Sequence, residues 1–519
     1  MYDGIIRTSA SCFLLFHDAR PVPVSFLVLS MGDAGINDVL DVIIVGAGIS
    51  GINAAYRLQT ELPSSSYTIL ESRGGIGGTW DFFRYPGFRS DSDLYTFGFS
   101  WRPWSQEKYI ADGDSIRKYI RESAAMYGID RKVQFHHKLL SANWSSDQQA
   151  WSLLVDADGQ KEHLHARFVI LSTGYYDYDE PLSTTIAGIE QFKGKVIHPQ
   201  FWPEDFDYAD KKMVVIGSGS TAVTLIPSLA QKASHVTMLQ RSPSYLLARP
   251  SVDAFGQVVS KFFPSWISHQ LTRLKFLVLN SFFVKFCGAY PQVAKTLIKK
   301  ATVKELPRDT PHNPHFEPSY NPWEQRLCLC PDGDFFQAMR AGKASVVTDT
   351  ITTVIEDGIQ LASGKTLDAD IIVTATGLKI RTAGGAQISV DNTPINIGQK
   401  FLWKGVMLQD VPNAATVIGY TNASWTLGAD ATALLVCRLL KYLKEQGITS
   451  AVPRLEHAET MKSTSALNLS STYVVKGMKE IPKAGDRAPW LPRTSYFSDL
   501  WAAKFGNITE GLQLQRVSV

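Results

Sequence analysis

An α/β fold made of two dinucleotide-binding units, with a helical insertion in the second, is predicted by three observations. "LDVIIVGAGISG" (Leu40 to Gly51) is a β-branched run that ends in glycines and opens a helical period. "KKMVVIGSGSTA" (Lys211 to Ala222) repeats that pattern later in the chain. After the repeat, "SKFFPSWISHQLTRLKFLVLNSFFVKFCGAYPQVAKTLIKK" is aromatic-rich and helical in period, with basic residues on its outer faces.

Each element follows from its residues. A continuous apolar run such as Leu40 to Val45 is the signature of a parallel strand covered on both faces. "SGINAAYRLQTEL" has helical periodicity, and "YTILE" (Tyr67 to Glu71) is the next strand, which completes a β-α-β unit. The second unit runs the same way, through "VTLIPSLAQ" to "HVTMLQR" (His235 to Arg241). "FVILSTGYYDYDEP" and "DIIVTATGL" each end a strand in a Thr-Gly turn and read as crossings between the two units. The predicted order is an extension without fixed structure (1–30), a first dinucleotide domain (31–177), and a linker with the first part of a second domain (178–250). The helical insertion (251–319), the second domain's remainder (320–368) and a return to the first domain (369–519) follow.

Composition bounds the function. The chain has 519 residues, 45% of them apolar and 19% charged, and a formal charge of +3. That is ordinary globular composition with no electrostatic field for nucleic acid. The five cysteines form no CxxC pair and no zinc spacing, so a reducing, cytoplasmic setting without a structural metal is expected. His312 and His315 flank Pro314, which breaks the helical spacing a two-histidine metal site would use. The first thirty residues carry short apolar runs, "CFLLF" and "VSFLVLS", broken by charges and prolines, a poor match to a signal peptide. Met31 reads as a natural start. No window reaches about 18 apolar residues, so no membrane span is expected. Membrane-peripheral attachment through the insertion is the lesser reading, because Pro264 and Pro291 interrupt it.

Gly46, Gly48 and Gly51 form GxGxxG between strand and helix, the arrangement that holds a pyrophosphate at a helix N-terminus. Glu71, at the end of the second strand, suits an unphosphorylated ribose. These features leave FAD and NAD both open. "GGTWDFFRYPGFRSD" (Gly77 to Asp91) favours FAD, because Trp80, Phe82, Phe83, Tyr85 and Phe88 suit a loop wrapped around a large planar ring better than one in water. The second loop reads Gly217, Gly219, Ala222, and Gln240 and Arg241 stand where the first unit has its carboxylate. An Arg there pairs with a ribose 2′-phosphate, which favours NADPH. Together these define an oxidoreductase in which NADPH reduces a flavin. A disulfide reductase would need a CxxC pair, which is absent.

"FKGKVIHPQFWP" and the Gly77 to Asp91 segment together carry a family resemblance. The first matches FxGxxxHxxxWP at Phe192, Gly194, His198, Trp202 and Pro203, and the second matches GGxWxxxxYPGxxxD. The chain resembles the Baeyer-Villiger flavin monooxygenases, and within them the ethionamide-activating and long-chain alkane monooxygenase subgroup. "YNPWEQRLCLCPDGDFF", "ATGL" and "IGYTNASWTL" carry that closer likeness, which runs from about Leu40 to Pro492.

The resemblance implies two Rossmann-like domains, one for FAD and one for NADP. It implies insertion of one atom of O2 through a C4a-peroxyflavin, converting ketones to esters or lactones and oxygenating sulfides. The alternative is an S- or N-oxygenating or long-chain alkane-hydroxylating enzyme. Arg326, in "QRLC", is then the fixed cation and Asp91 its partner. FAD contacts are expected from Gly46, Gly48, Ser50, Gly51, Glu71, Thr79, Trp80, Asp81, Phe82, Asp91 and Leu139. NADP contacts are expected from Arg89, Ser90, Asp91, Gly217, Ser218, Gly219, Ser220, Thr221, Ala222, Val223, Gln240 and Arg241. His198 could be a base, but its place at a domain connection favours a structural or hinge role. A small apolar organic substrate and O2 are the expected partners.

Overall fold

The computed structural model describes residues 39–467 and 470–516. The proposed extension at residues 1–30 lies outside the described residues. The described part is organised around two sheets.

In the first sheet, Leu40–Val45 lies between Tyr67–Leu70 and Gln160–Leu171 and is parallel to both. Val42, Ile43, Ile44 and Val45 are buried, as a strand covered on both faces requires. Antiparallel strands Ala150–Ala157 and His137–Ser145 extend the sheet on the Gln160–Leu171 side. The helix Ile49–Glu61 leaves the first strand through Gly46, whose φ is +103°. A Cβ at Gly51 would lie 1.9 Å from the Gly46 carbonyl oxygen, so the third glycine is what lets the helix sit on the turn.

The second sheet is wholly parallel, in the order Ala344–Thr348, His235–Gln240, Lys212–Ile216, Ile371–Thr374, Lys195–Ile197. Its glycine loop leads into the helix Ser220–Leu229. Ala222 occupies the place of Gly51 and is fully buried. Ile371–Thr374 pairs inside this sheet, so the second domain extends past residue 368 and the return crossing begins at Ala375.

The sheet explains the "FKGKVIHPQFWP" segment. Lys195–Ile197 is the sheet's edge strand. Gly194 precedes it, where a Cβ would lie 2.2 Å from the Asp370 carbonyl oxygen. Phe192 packs beneath Val214 and Ile216, against the small antiparallel layer at Ile351–Asp368. Trp202 sits in the second domain's core with Phe206 and Tyr208, and Pro203 is exposed.

The insertion is three helices, Ala254–Phe262, Ser265–Ala289 and Pro291–Glu305. Pro264 and Pro291 do not interrupt helices. They begin them, Pro264 as the cap of the second and Pro291 as the first residue of the third, where a missing N–H costs nothing. The second helix is tied to the first domain by Arg273 Nη1, which donates to the carbonyls of Tyr95 and Gly98, and by Asn280 Nδ2, which donates to Asp93 Oδ2 at 3.1 Å. No helix among the described residues is long and apolar enough to cross a membrane, and no cluster of His, Cys, Asp and Glu there could hold a metal.

Candidate active site

One cavity of about 1720 Å³ lies between the two glycine loops. A single small-molecule site occupies roughly 300–1,000 Å³, so this space suits two large ligands and a substrate.

On the first-domain side its wall includes Gly46, Gly48, Ser50 and Glu71. The helix Ile49–Glu61 has no side-chain cap and no acid in its first turn, so its free N–H groups are open to an anion. Glu71 is buried. Its Oε2 accepts from Ala47 N at 2.8 Å and its Oε1 from Arg73 N at 3.0 Å, which ties the second strand's end to the glycine turn. Burial raises its pKa, against the pull of the Ala47 N–H and Arg73. Ser50 Oγ accepts from Trp425 Nε1 at 2.9 Å, and Trp425 stacks on Tyr175.

Thr79, Trp80, Phe82 and Leu139 also face the cavity. The aromatic loop does two things at once. Trp80 stacks on Phe88 at 4.9 Å beside the cavity. Phe83 and Tyr85 turn into the second domain's core beside Val223 and Ile226, so part of the loop is inter-domain packing. Asp81 is not in the wall: its carboxylate gathers Arg73, Arg84 and Arg121 at 3.6, 3.6 and 2.7 Å. Ser90 is also turned away, its Oγ accepting from Ala111 N at 3.2 Å. Gly51 acts only through helix packing, as above.

On the second-domain side Gly217, Ser218, Gly219, Ser220 and Thr221 line the cavity. A Cβ at Gly219 would meet nothing within 4 Å, and the helix Ser220–Leu229 also starts without a side-chain cap or an acid. Ala222 and Val223 point into the core instead. Alternation along the strand His235–Gln240 separates the next pair. Gln240 is buried, donating to the His315 carbonyl at 2.7 Å and to Thr348 Oγ1 at 2.9 Å, so it does not reach the cavity. Arg241 is exposed in the cavity wall and makes no ion pair among the described residues. Arg89 is also in the wall, paired with Asp334 at the start of the helix Asp334–Arg340.

Arg326 and Asp91 face the space between the two halves. Arg326 Nη1 lies 3.2 Å from Asp91 Oδ2. Burial works against the Arg326 charge, but Tyr175, Asp91, Tyr473 and Tyr176 outweigh it and its pKa is raised. Its Nε is buried and has no partner among the described residues, as is also true of Ser172 Oγ in the same wall. Buried donors of this kind are ordinarily met by water or by a polar ligand.

The two crossings meet beside this site. His198 faces the cavity, with Nδ1 accepting from Gln200 N at 3.2 Å. Burial lowers its pKa, opposed by the Gly377 backbone, so it is neutral at pH 7. Sequence reading missed the residue that joins the crossings. Asp177 is 1% exposed, and its carboxylate accepts from the backbone of Asp179 and Glu180 and from Arg381 and Lys379 at 3.0 and 3.2 Å. Gln200 Nε2 donates to its carbonyl at 2.8 Å. The only local signal was an acid set among tyrosines after a Thr-Gly turn.

Comparisons with known proteins place the chain in a family. Residues 40–281 match the family described as flavin-binding monooxygenase-like. The chain is 45% identical over 479 residues to the FAD-containing monooxygenase EthA of Mycobacterium tuberculosis, covering 92% of this chain and 98% of that protein. It is 42% identical over 475 residues to a probable FAD-binding monooxygenase, AlmA, of Acinetobacter baylyi, covering 91% and 95%. Among solved structures, oxidized steroid monooxygenase bound to NADP superposes with a TM-score of 0.73 at 19% identity, covering 92% of this chain and all of the other. OTEMO in complex with FAD and NADP gives 0.70 at 18%, covering 92% and 99%. The chain belongs to the flavin-binding monooxygenase family and is an FAD-containing monooxygenase with the fold of the Baeyer-Villiger enzymes.

Proposed function

We propose that this enzyme consumes NADPH and O2 to insert one oxygen atom into ketones, giving esters or lactones, and that it also oxygenates sulfides. The observation that carries this reading is the Arg326–Asp91 pair, a fixed cation in the wall between the two glycine loops.

The residues fit both cofactors. Gly46, Gly48 and Ser50 at an uncapped helix start would take the FAD pyrophosphate, Glu71 its ribose, and Thr79, Trp80, Phe82 and Leu139 its ring system. Gly217 to Thr221 would take the NADP pyrophosphate and Arg241 its 2′-phosphate, with Arg89 nearby. Bound FAD, reduced by NADPH, supplies the activated oxygen.

The chain's own groups do the rest. Arg326 stays cationic beside Asp91 and three tyrosines, and a charge fixed in this way stabilises developing negative charge on oxygen without having to reorganise. Asp91 fixes the direction of that charge. Trp323, Phe283 and Leu279 give the cavity an apolar side that holds an organic substrate and limits water. His198, neutral and serving as the cap of the turn Pro199–Phe201, holds the crossing in place.

S-oxygenation or alkane hydroxylation is the second reading, favoured by the likeness to EthA and AlmA, which are themselves named only as monooxygenases. Product mass spectrometry on a panel of cyclic and linear ketones and aryl sulfides separates the two. Ester from ketone supports the first reading, and sulfoxide without any ester supports the second.

A further inference from the structure

The second insertion helix, Ser265–Ala289, has its polarity the wrong way round for a helix in water. It buries Ser268, His269, Thr272 and Arg273 against the first domain. To solvent it presents Leu271, Leu274, Val278 and Phe282, a stripe at spacings of three and four residues. The neighbouring helices expose apolar side chains as well. Phe255, Val258 and Phe262 are exposed on the first, and Val293, Leu297 and Val303 on the third. Four aromatic side chains alone, Phe262, Phe282, Tyr290 and Trp266, are 76, 66, 61 and 59% exposed. At about 150–250 Å² each, they put some 500 Å² of ring surface into solvent. That already equals the largest apolar patch of an ordinary monomer, roughly 300–600 Å².

Charge indicates what covers the face. Residues 254–305 carry eight Lys or Arg against Glu305 alone, in a chain whose total is +3. Arg273 and Lys275 are spent on contacts within the fold. Lys299 is exposed and lies 3.6 Å from Glu317, and Lys261, Lys285, Lys300 and Lys304 remain exposed among the apolar residues. Protein–protein interfaces are depleted in lysine. Exposed aromatic and aliphatic side chains flanked by lysines are instead the composition of surfaces that lie in the headgroup region of anionic bilayers.

We infer that the three-helix insertion docks the enzyme onto an anionic lipid bilayer. Phe255, Leu279 and Phe282 are exposed on this face and also line the cavity, so the docked surface includes the cavity's rim. An apolar substrate dissolved in the bilayer then reaches the cavity without crossing water. That last step rests on the oxygenase reading, and the docking does not.

The test is flotation of the full-length, FAD-loaded enzyme with vesicles of phosphatidylcholine, alone or with about a third phosphatidylglycerol, at low and high salt. The expected result is binding to the anionic vesicles that weakens in salt. Two variant sets probe the face: Phe262→Ser with Trp266→Ser, and Lys261→Glu with Lys285→Glu and Lys300→Glu. Both should weaken binding, the charge set by roughly fivefold or more for each lysine, while NADPH oxidation in solution is unchanged. The charge set alters only exposed residues, so it tests the inference even if the apolar set folds poorly. Absence of vesicle binding, or binding that neither set weakens, overturns it. So does a dimer in light scattering that the apolar variants dissociate while vesicles are ignored, which would assign the face to a second copy.

Discussion

Replacing Arg241 with Ala tests the coenzyme side of the site. Arg241 stands in the cavity wall at the end of the strand His235–Gln240 and makes no ion pair among the described residues, so its charge is free for a ligand. The loop around it is set in advance: Ser218 Oγ donates to the Ser242 carbonyl at 2.8 Å, and Ser244 Oγ donates to Ser218 Oγ at 3.3 Å. A hydrogen bond to a charged group contributes about 1.5–3 kcal/mol. Arg241 is exposed, and solvent screening brings this just below that range, to about 1.4 kcal/mol, or about tenfold. The expectation is that Arg241→Ala raises the KM for NADPH by about tenfold and leaves kcat/KM for NADH within about twofold. Steady-state oxidation of both coenzymes, followed with the same ketone, measures this. Equal losses for NADPH and NADH would refute 2′-phosphate recognition and leave Arg241 a structural residue.

Asp177→Asn should destabilise the holoenzyme by roughly 1–2 kcal/mol, less than a fully buried broken pair because Arg381 and Lys379 are partly exposed. Thermal unfolding checks this. Burial works against the Asp177 charge, but the backbone N–H groups and Lys379 lower its pKa. Its stabilisation is therefore present above the unfolded value of about 3.9 and lost as pH falls below it, and the Asn variant should lack that loss. His269 is buried near Tyr95 with neither ring nitrogen partnered among the described residues, and burial, then Arg273, holds its pKa down at about 4. The folded state keeps it neutral while the unfolded chain takes up a proton near 6.5, so stability falls between pH 6.5 and about 4, by up to roughly 3 kcal/mol. Unfolding at pH 7 and pH 5 should show a smaller drop for His269→Phe than for the parent. An equal drop would contradict the assignment.

The local part of this molecule was legible in the sequence. Both glycine loops, their strands and the crossings follow from patterns a few residues long, which is the range over which strand period and turn chemistry operate. What the sequence did not disclose depends on distant pairs or on which way a side chain turns. Arg89 finds Asp334, and Asp177 finds Arg381, across more than 200 residues. Gln240 and Arg241 are adjacent, yet strand alternation sends one into the core and the other to the cavity. The resemblance implies Asp81 as a cofactor contact, and what the sequence did not disclose is that its carboxylate gathers three arginines. The prolines of the insertion were read as breaks and are helix starts. The fingerprint around His198 mostly builds an edge strand and core, and of its five marked residues only His198 reaches the cavity.

The most direct measurement is Arg326→Ala followed through both half-reactions. Anaerobic stopped-flow reduction of the flavin by NADPH should stay within about tenfold of the parent, because Arg326 is asked only to stabilise charge in the oxygen-transfer step. Under air, ester formed per NADPH consumed should fall by about a hundredfold or more, with hydrogen peroxide released in its place. Flavin reduction retained with product lost is the result the account predicts. Normal ester yield from the variant would contradict it.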